Sequence, residues 1–281
     1  MNTEVREPIN LIVNADDYGY FSCVSRGIIQ AAKLGKLTAA GLMANSPDLL
    51  TQLHWLENVD NLDLGVHLNL SFGQPLTAAM AKKLSANKSC FPGVFAMTWL
   101  IITGQISLIA IRDEWRAQIE ACQGRSLLFL NSHEHVHMLP PLFKLTLELA
   151  EEYRIPHVRL TTADWSELKA GKAGLRNVLM QSMQTFNRSR LKRQPPIFLG
   201  LNPSGKLSYS YLEKIFAHLT PGKTYELMCH PGYFEPNEIS AKQLLNYHAW
   251  ENELALLLSP ELSNLYNRFG ISLCRYSTLD H

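Results

Sequence analysis

Eight short apolar runs, each ending on polar residues and followed by a helix-like stretch, constrain this chain more than any other feature. They are Leu11-Ile12-Val13, Thr38 to Ala44, Leu62 to Leu70, Ser126 to His133, and the neighbourhoods of Val158, Phe198, Leu227 and Leu273. Parallel strands cannot be joined by tight hairpins, so strands that alternate with helices predict a parallel sheet with crossover helices. Eight such units in 281 residues predict an α/β fold of the deformed (β/α) barrel type. An open doubly wound sheet is the alternative. No linker or internal repeat divides the chain, so residues 1–281 read as one domain.

Composition narrows the class. Hydrophobic residues make up 46% of the chain, ample for a large core, and 26 basic against 25 acidic residues leave a net charge of +1. Nothing in that balance favours nucleic acid. The five cysteines are scattered without CxxC spacing, which argues against a disulfide framework and a cysteine zinc site. The amino terminus lacks a basic start followed by an apolar run, so a cytoplasmic protein is expected.

Two segments depart from the rhythm. An excursion at about 75–111 contains 23 consecutive uncharged residues from Ser89 to Ile111. That length permits a membrane span, but Pro92, Gly93, Thr98, Thr103, Gly104, Gln105 and Ser107 interrupt it. A buried or lid-like excursion is the expectation. Further on, Arg188, Arg190, Lys192 and Arg193 form a basic cluster. It reads as a solvated loop, or as a source of attraction to anionic headgroups.

The chemistry collects at strand ends, where barrel active sites form. Asn14-Ala15-Asp16-Asp17 follows the first strand. Two adjacent carboxylates there need a positive partner if buried, or else one caps the next helix. Alternation along a strand points them to opposite sides, so they need not share a role. His67 sits late in the third strand, where a hydrogen-bonded core histidine is the plain alternative to a ligand. Ser132-His133-Glu134-His135-Val136-His137 ends the fourth. If extended, it puts three histidines on one face with metal-ligand spacing. Cys229-His230-Pro231-Gly232 brings a histidine to the end of another strand. Asp, His and His from separate strand ends make a mixed nitrogen and oxygen donor set for one divalent metal ion. Three protein ligands leave open positions, as catalytic sites do, and a spare carboxylate and histidine remain for acid–base work.

These motifs resemble the YdjC-like carbohydrate deacetylases. The matching stretches are Asn14 to Gly19, Gly27-Ile28 with Gly35 and Thr38, Gly65 to Leu70, Trp115 to Glu120, Ser132 to Pro140, and Cys229 to Gly232, in the family's order. The carboxy-terminal half resembles members associated with hopanoid biosynthesis, through Leu201 to Gly205 and His248 to Pro260. The resemblance implies a deformed barrel, hydrolysis of the acetyl amide of an N-acetylated sugar, and a metal at Asp17, His67 and His133, with zinc or magnesium foremost. It puts Asp16 at the general-base position and His230 at a catalytic histidine. His137 and Asn131 are supporting candidates. Asn131 departs from the family's usual Asp, and a neutral acceptor would make a ligating histidine less basic. The hopanoid-like cues and the apolar excursion extend the expected partners to a lipid-linked sugar met at the membrane surface, or to a second copy of the chain. Rival readings are another metal-dependent hydrolase on this scaffold and a sugar-binding protein with a vestigial site.

Overall fold

The computed structural model describes residues 7–163 and 172–279. Its strands are β1 (Ile9–Tyr18), β2 (Ala39–Leu42), β3 (Asp63–Leu68), β4 (Leu127–Ser132), β5 (His157–Val158), β6 (Ile197–Leu199), β7 (Thr224–Cys229) and β8 (Ile271–Leu273). All neighbouring pairs are parallel. The wall runs β5-β4-β3-β2-β1-β7-β6, and β8 pairs with the first residues of β1. β5 and β6 end the path unpaired with each other, so the sheet curls into an incomplete barrel. The expected barrel is therefore present in its deformed form.

Alternation along β1 explains how one strand serves two layers. Leu11, Val13 and Ala15 join the apolar layer under the helices. Ile12, Asn14 and Asp16 face the barrel interior. At the base, Ile12 packs with Ala39, Phe129 and Tyr276, the Tyr276 ring stacking 4.6 Å from Phe129. Each fully buried side chain of this size contributes about 1.5–3 kcal/mol. Above that apolar plug the interior becomes polar: Asn14, Glu226, Arg159 and Asp16 are all buried. Chemistry thus begins halfway up the barrel.

The excursion after β3 is stapled to helix Leu108–Ala121 by the buried Glu114 carboxylate. It accepts from the backbone N–H of Leu76 and of Thr77, both at 2.9 Å, and from the Thr77 hydroxyl at 2.8 Å. Within the uncharged stretch, helix Val94–Ile102 buries Met97 but leaves Phe95, Trp99 and Ile102 exposed, with Ile109 exposed beyond it. This corrects the buried reading: the helix shows solvent an apolar face, Phe95 being 89% exposed. Among the described residues, no helix is long and apolar enough to cross a membrane.

Candidate active site

β1 carries both aspartates to the same place, against the expectation that alternation separates them. Asp17 has φ +69, and the pairing of β1 with β2 shifts register between Ala15 and Tyr18. The left-handed turn costs a non-glycine residue roughly 1–2 kcal/mol and swings the second carboxylate inward beside the first. Neither aspartate caps a helix: Phe21 occupies the N-cap of helix Ser22–Lys33, without a side-chain bond.

Asp17, His67 and His133 converge, one ligand atom from each lying within 4.8 Å of the others. Asp17 Oδ1 is 2.8 Å from His133 Nδ1 and 3.2 Å from His67 Nε2. Its other oxygen, Oδ2, is buried with no hydrogen-bond partner. Burial pushes the Asp17 carboxyl up, but His133 and then His67 together outweigh it and hold the group well below the usual carboxylate range. Reciprocally, burial lowers His133 while Asp17 raises it further, and the net shift is upward.

His67 Nδ1 lies 2.8 Å from Asn131 Oδ1, and Asn131 Nδ2 donates to Asp16 Oδ1 at 3.0 Å. A carboxylate only accepts, which fixes the amide's orientation and puts a proton on His67 Nδ1. His67 Nε2 is then the nitrogen that faces Asp17 Oδ1, 3.2 Å away, and in the neutral ring its lone pair can bind a cation that the carboxylate shares. Gly41 leaves room for this contact, since a Cβ there would sit 3.2 Å from His67 Cβ and 3.3 Å from Asn131 Oδ1.

Sequence reasoning missed the strongest partner of Asp16. Arg159, which follows β5, donates from Nη1 to Asp16 Oδ2 at 2.6 Å and from Nη2 to Asp16 Oδ1 at 2.8 Å. It also reaches Glu226 on β7, with Nε 2.7 Å from Oε1, where Asn14 Nδ2 donates at 2.9 Å. Burial raises Asp16, yet Arg159 and then His67 outweigh it, leaving its carboxyl at about 2. A signal for both residues was available: a lone charge in a buried strand requires a partner. Arg159 answers Asp16 and Glu226, whereas Asp17 Oδ2 has no partner. That free carboxylate oxygen beside two imidazoles is a donor set that fits a divalent cation.

The histidine run is not extended. Glu134 and His135 adopt left-handed φ values of 51 and 55, so His133, His135 and His137 share no face. His137 Nε2–H donates to the Arg159 carbonyl at 3.0 Å while its Nδ1 accepts from Ser132 Oγ at 2.6 Å. Both nitrogens are occupied, and the ring braces the segment that carries Arg159. His135 lies by Thr161, 3.2 Å from its hydroxyl.

His230 follows β7, whose Cys229 pairs with Ala15, so it stands beside Asp16 across the sheet. Its backbone N–H donates to Glu253 at 2.6 Å, and its Nδ1 is buried without a partner. Helix Ser22–Lys33 packs backbone to backbone on this loop: a Cβ on Gly27 would lie 2.6 Å from Gly232 Cα. On the other flank Tyr20 lies 5.1 Å from the His133 ring and packs on Phe21 and Phe72. These aromatics border a cleft of about 730 Å³ also lined by Asn45, Asp48 and Gln74. Aromatic faces beside amide and carboxylate side chains that can bond hydroxyls suit a sugar.

The family model described as YdjC-like protein matches residues 10–268. A chitooligosaccharide deacetylase of Yersinia pestis (strain Pestoides F) is 31% identical, over 94% of this chain and 96% of its own length. Carbohydrate deacetylases of Geobacillus stearothermophilus and Mus musculus are 28% and 27% identical, over 96% and 97% of this chain and 97% and 95% of theirs. Among solved structures, one described as a candidate cellobiose-phosphate cleavage protein from Enterococcus faecalis V583 superposes with a TM-score of 0.76 at 24% identity, covering 98% of this chain and 100% of that one. At that identity the likeness speaks for the fold. Matched by the model from the first strand to the last long helix, this chain belongs to the YdjC-like family.

Proposed function

We propose that the protein is a metal-dependent hydrolase that removes the acetyl group from an N-acetylated sugar. The observation that carries the reading is the Asp17, His67 and His133 group, whose ligand atoms lie within 4.8 Å beside an unpartnered carboxylate oxygen. The naming of relatives as carbohydrate and chitooligosaccharide deacetylases supports the substrate class.

Asp17, His67 and His133 would hold the divalent ion, with zinc and magnesium the first to test; when bound, such an ion supplies Lewis acidity toward a carbonyl and acidifies water. The chain supplies the rest. Asp16, aimed by Arg159 and Asn131, accepts the proton as water adds to the acetyl carbon. A carboxylate held at about 2 is ionised throughout the neutral range, so it is always ready to accept. Its low basicity also means the proton cannot rest there. It passes on, and His230 delivers a proton to the nitrogen as the carbon–nitrogen bond breaks, leaving acetate and a free amine. The cleft by Tyr20 and Phe72 receives the sugar.

A purified sample with one equivalent of metal, releasing acetate from N-acetylglucosamine conjugates and silenced by chelation, is the expected result. Acetate release at full rate after the metal has been stripped would overturn it. A glycosidase on this scaffold would cleave between sugars without metal, and the same assay separates the two.

A second observation bears on the substrate's other end. The exposed Phe95, Trp99, Ile102 and Ile109 form an apolar face on the excursion that follows β3. Helix Val94–Ile102 also contacts the His133–Met138 segment. A lipid-linked amino sugar approached from the membrane surface would cover that face; a second copy of the chain is the alternative cover.

A further inference from the structure

We propose that His248 is a substrate-contacting residue whose Nε2–H donates to a sugar oxygen on a carbon adjoining the one that bears the acetamido nitrogen. The inference rests on the deacetylase reading above and assigns a residue that reading does not use.

The ring is held on two sides. Trp250 stacks on it nearly parallel, at 4.8 Å and 15°, and Tyr247 meets it edge-on at 4.8 Å. Gly205, at φ +75, makes the space: a Cβ there would lie 2.7 Å from the Tyr247 carbonyl and 3.1 Å from His248 Nδ1. The Ala249 N–H donates to the Gly205 carbonyl at 2.7 Å and fastens the two loops together. His248 therefore has one orientation, and the His230 ring lies 5.1 Å from it.

That orientation leaves one nitrogen to act. His248 is 8% exposed, and its Nδ1 is buried with no hydrogen-bond partner. A buried acceptor without a donor is tolerated better than a buried N–H without an acceptor, so the proton belongs on Nε2, the nitrogen that is not sealed from solvent. Burial foremost, then the neighbouring His230, pushes the imidazole down to about 3. The group is thus a neutral donor across the working range. Its ring lies 5.1 Å from that of His230, which follows the end of β7 beside Asp16, so it stands at the same end of the barrel as the metal group.

The position selects the partner. If His230 serves the departing nitrogen, a donor one ring away meets what flanks that nitrogen in an amino sugar, namely the oxygens on the two adjoining ring carbons. A fixed donor that loses its acceptor costs about 1–3 kcal/mol, enough to favour the natural substrate by roughly 5–150-fold.

The test compares kcat/KM for N-acetylglucosamine with that for its 1-deoxy and 3-deoxy analogues. The wild-type enzyme is expected to discriminate against one analogue by at least about five-fold. His248→Phe keeps the stack on Trp250 but removes the donor, and should bring that ratio close to one; His248→Gln, which restores a donor, should recover part of it. His248→Leu replaces the first variant if phenylalanine does not fit. Discrimination unchanged in the donor-free variant, or absent from wild type, overturns the role of His248 while leaving the deacetylase reading intact. No acetate from any of the three sugars overturns that reading and this inference together.

Discussion

His67 Nδ1 lies 2.8 Å from Asn131 Oδ1, and this contact decides which nitrogen of His67 faces Asp17. The amide does so because its other end is committed to Asp16. Asn131→Leu keeps the volume but frees the ring, so affinity for Zn²⁺ should fall roughly 10–100-fold, the usual effect of losing such a partner. Asn131→Asp keeps the acceptor for His67 but sets a second carboxylate against Asp16. It should hold metal within a few-fold of wild type while lowering the melting temperature. Competition titration with a chromophoric chelator reads both; wild-type affinity in Asn131→Leu would show that His67 needs no such lock.

The eight-strand alternation was legible because parallel strands buried on both faces must be apolar throughout, and the sequence has eight such runs. The site was legible where chemistry overrides packing, as in the paired aspartates and His133. Backbone detail was not legible. Asp17 turns inward through a left-handed φ set by a register shift between two strands, and the run after Ser132 winds up instead of extending. Arg159 and Glu226 could have been paired by charge alone, whereas the uncovered face of helix Val94–Ile102 depends on what does not pack there, which no local pattern encodes.

The two aspartates should separate by phenotype. Asp16→Asn leaves the Asp17, His67 and His133 group whole, so metal content should match wild type while acetate release drops about 10²–10⁴-fold. Asp17→Asn removes a ligand and should lose metal. Elemental analysis beside the rate assay distinguishes them, and the reverse pattern would exchange their roles.

Among the described residues Arg159 is the guanidinium that answers two buried carboxylates; burial lowers it, but Asp16 and then Glu226 outweigh burial and the net shift is upward. Arg159→Met strands both acids in the interior. The expected loss is about 3–5 kcal/mol by urea denaturation. Adding Glu226→Gln removes one of the stranded charges and should recover part of it. Single and double variants of equal stability would mean that the two groups are not coupled.

Acid should weaken the fold through His137. Burial foremost lowers its imidazole to about 3, against 6.5 for an ordinary histidine. Below about 6.5 the unfolded chain binds a proton that the native ring refuses, so stability falls as pH drops from there toward 3, by up to about 1.4 kcal/mol per unit. His248 acts in the same sense. His137→Asn should be less stable at pH 7.5, since two hydrogen bonds go, yet its stability should decline less steeply between pH 6.5 and 4.5, by about one proton. Equal slopes under the same metal load would mean that His137 is not the group responsible.

The apolar face gives the last prediction. Phe95, Trp99 and Ile102 stand exposed on one helix, followed by Ile109. The basic residues Arg190, Lys192 and Arg193 lie instead beside the starts of β4 and β5, so they do not add to this face. Inserting an aromatic or aliphatic side chain into an acyl boundary gains about 1.5–3 kcal/mol when fully buried, and several such groups acting together suffice for reversible binding. The protein should therefore float with lipid vesicles, and Phe95→Ser with Trp99→Ser should abolish flotation while acetate release from a soluble sugar persists. Absence of flotation, with a concentration-dependent dimer that the same pair of substitutions dissolves, would instead make this face a contact between copies of the chain.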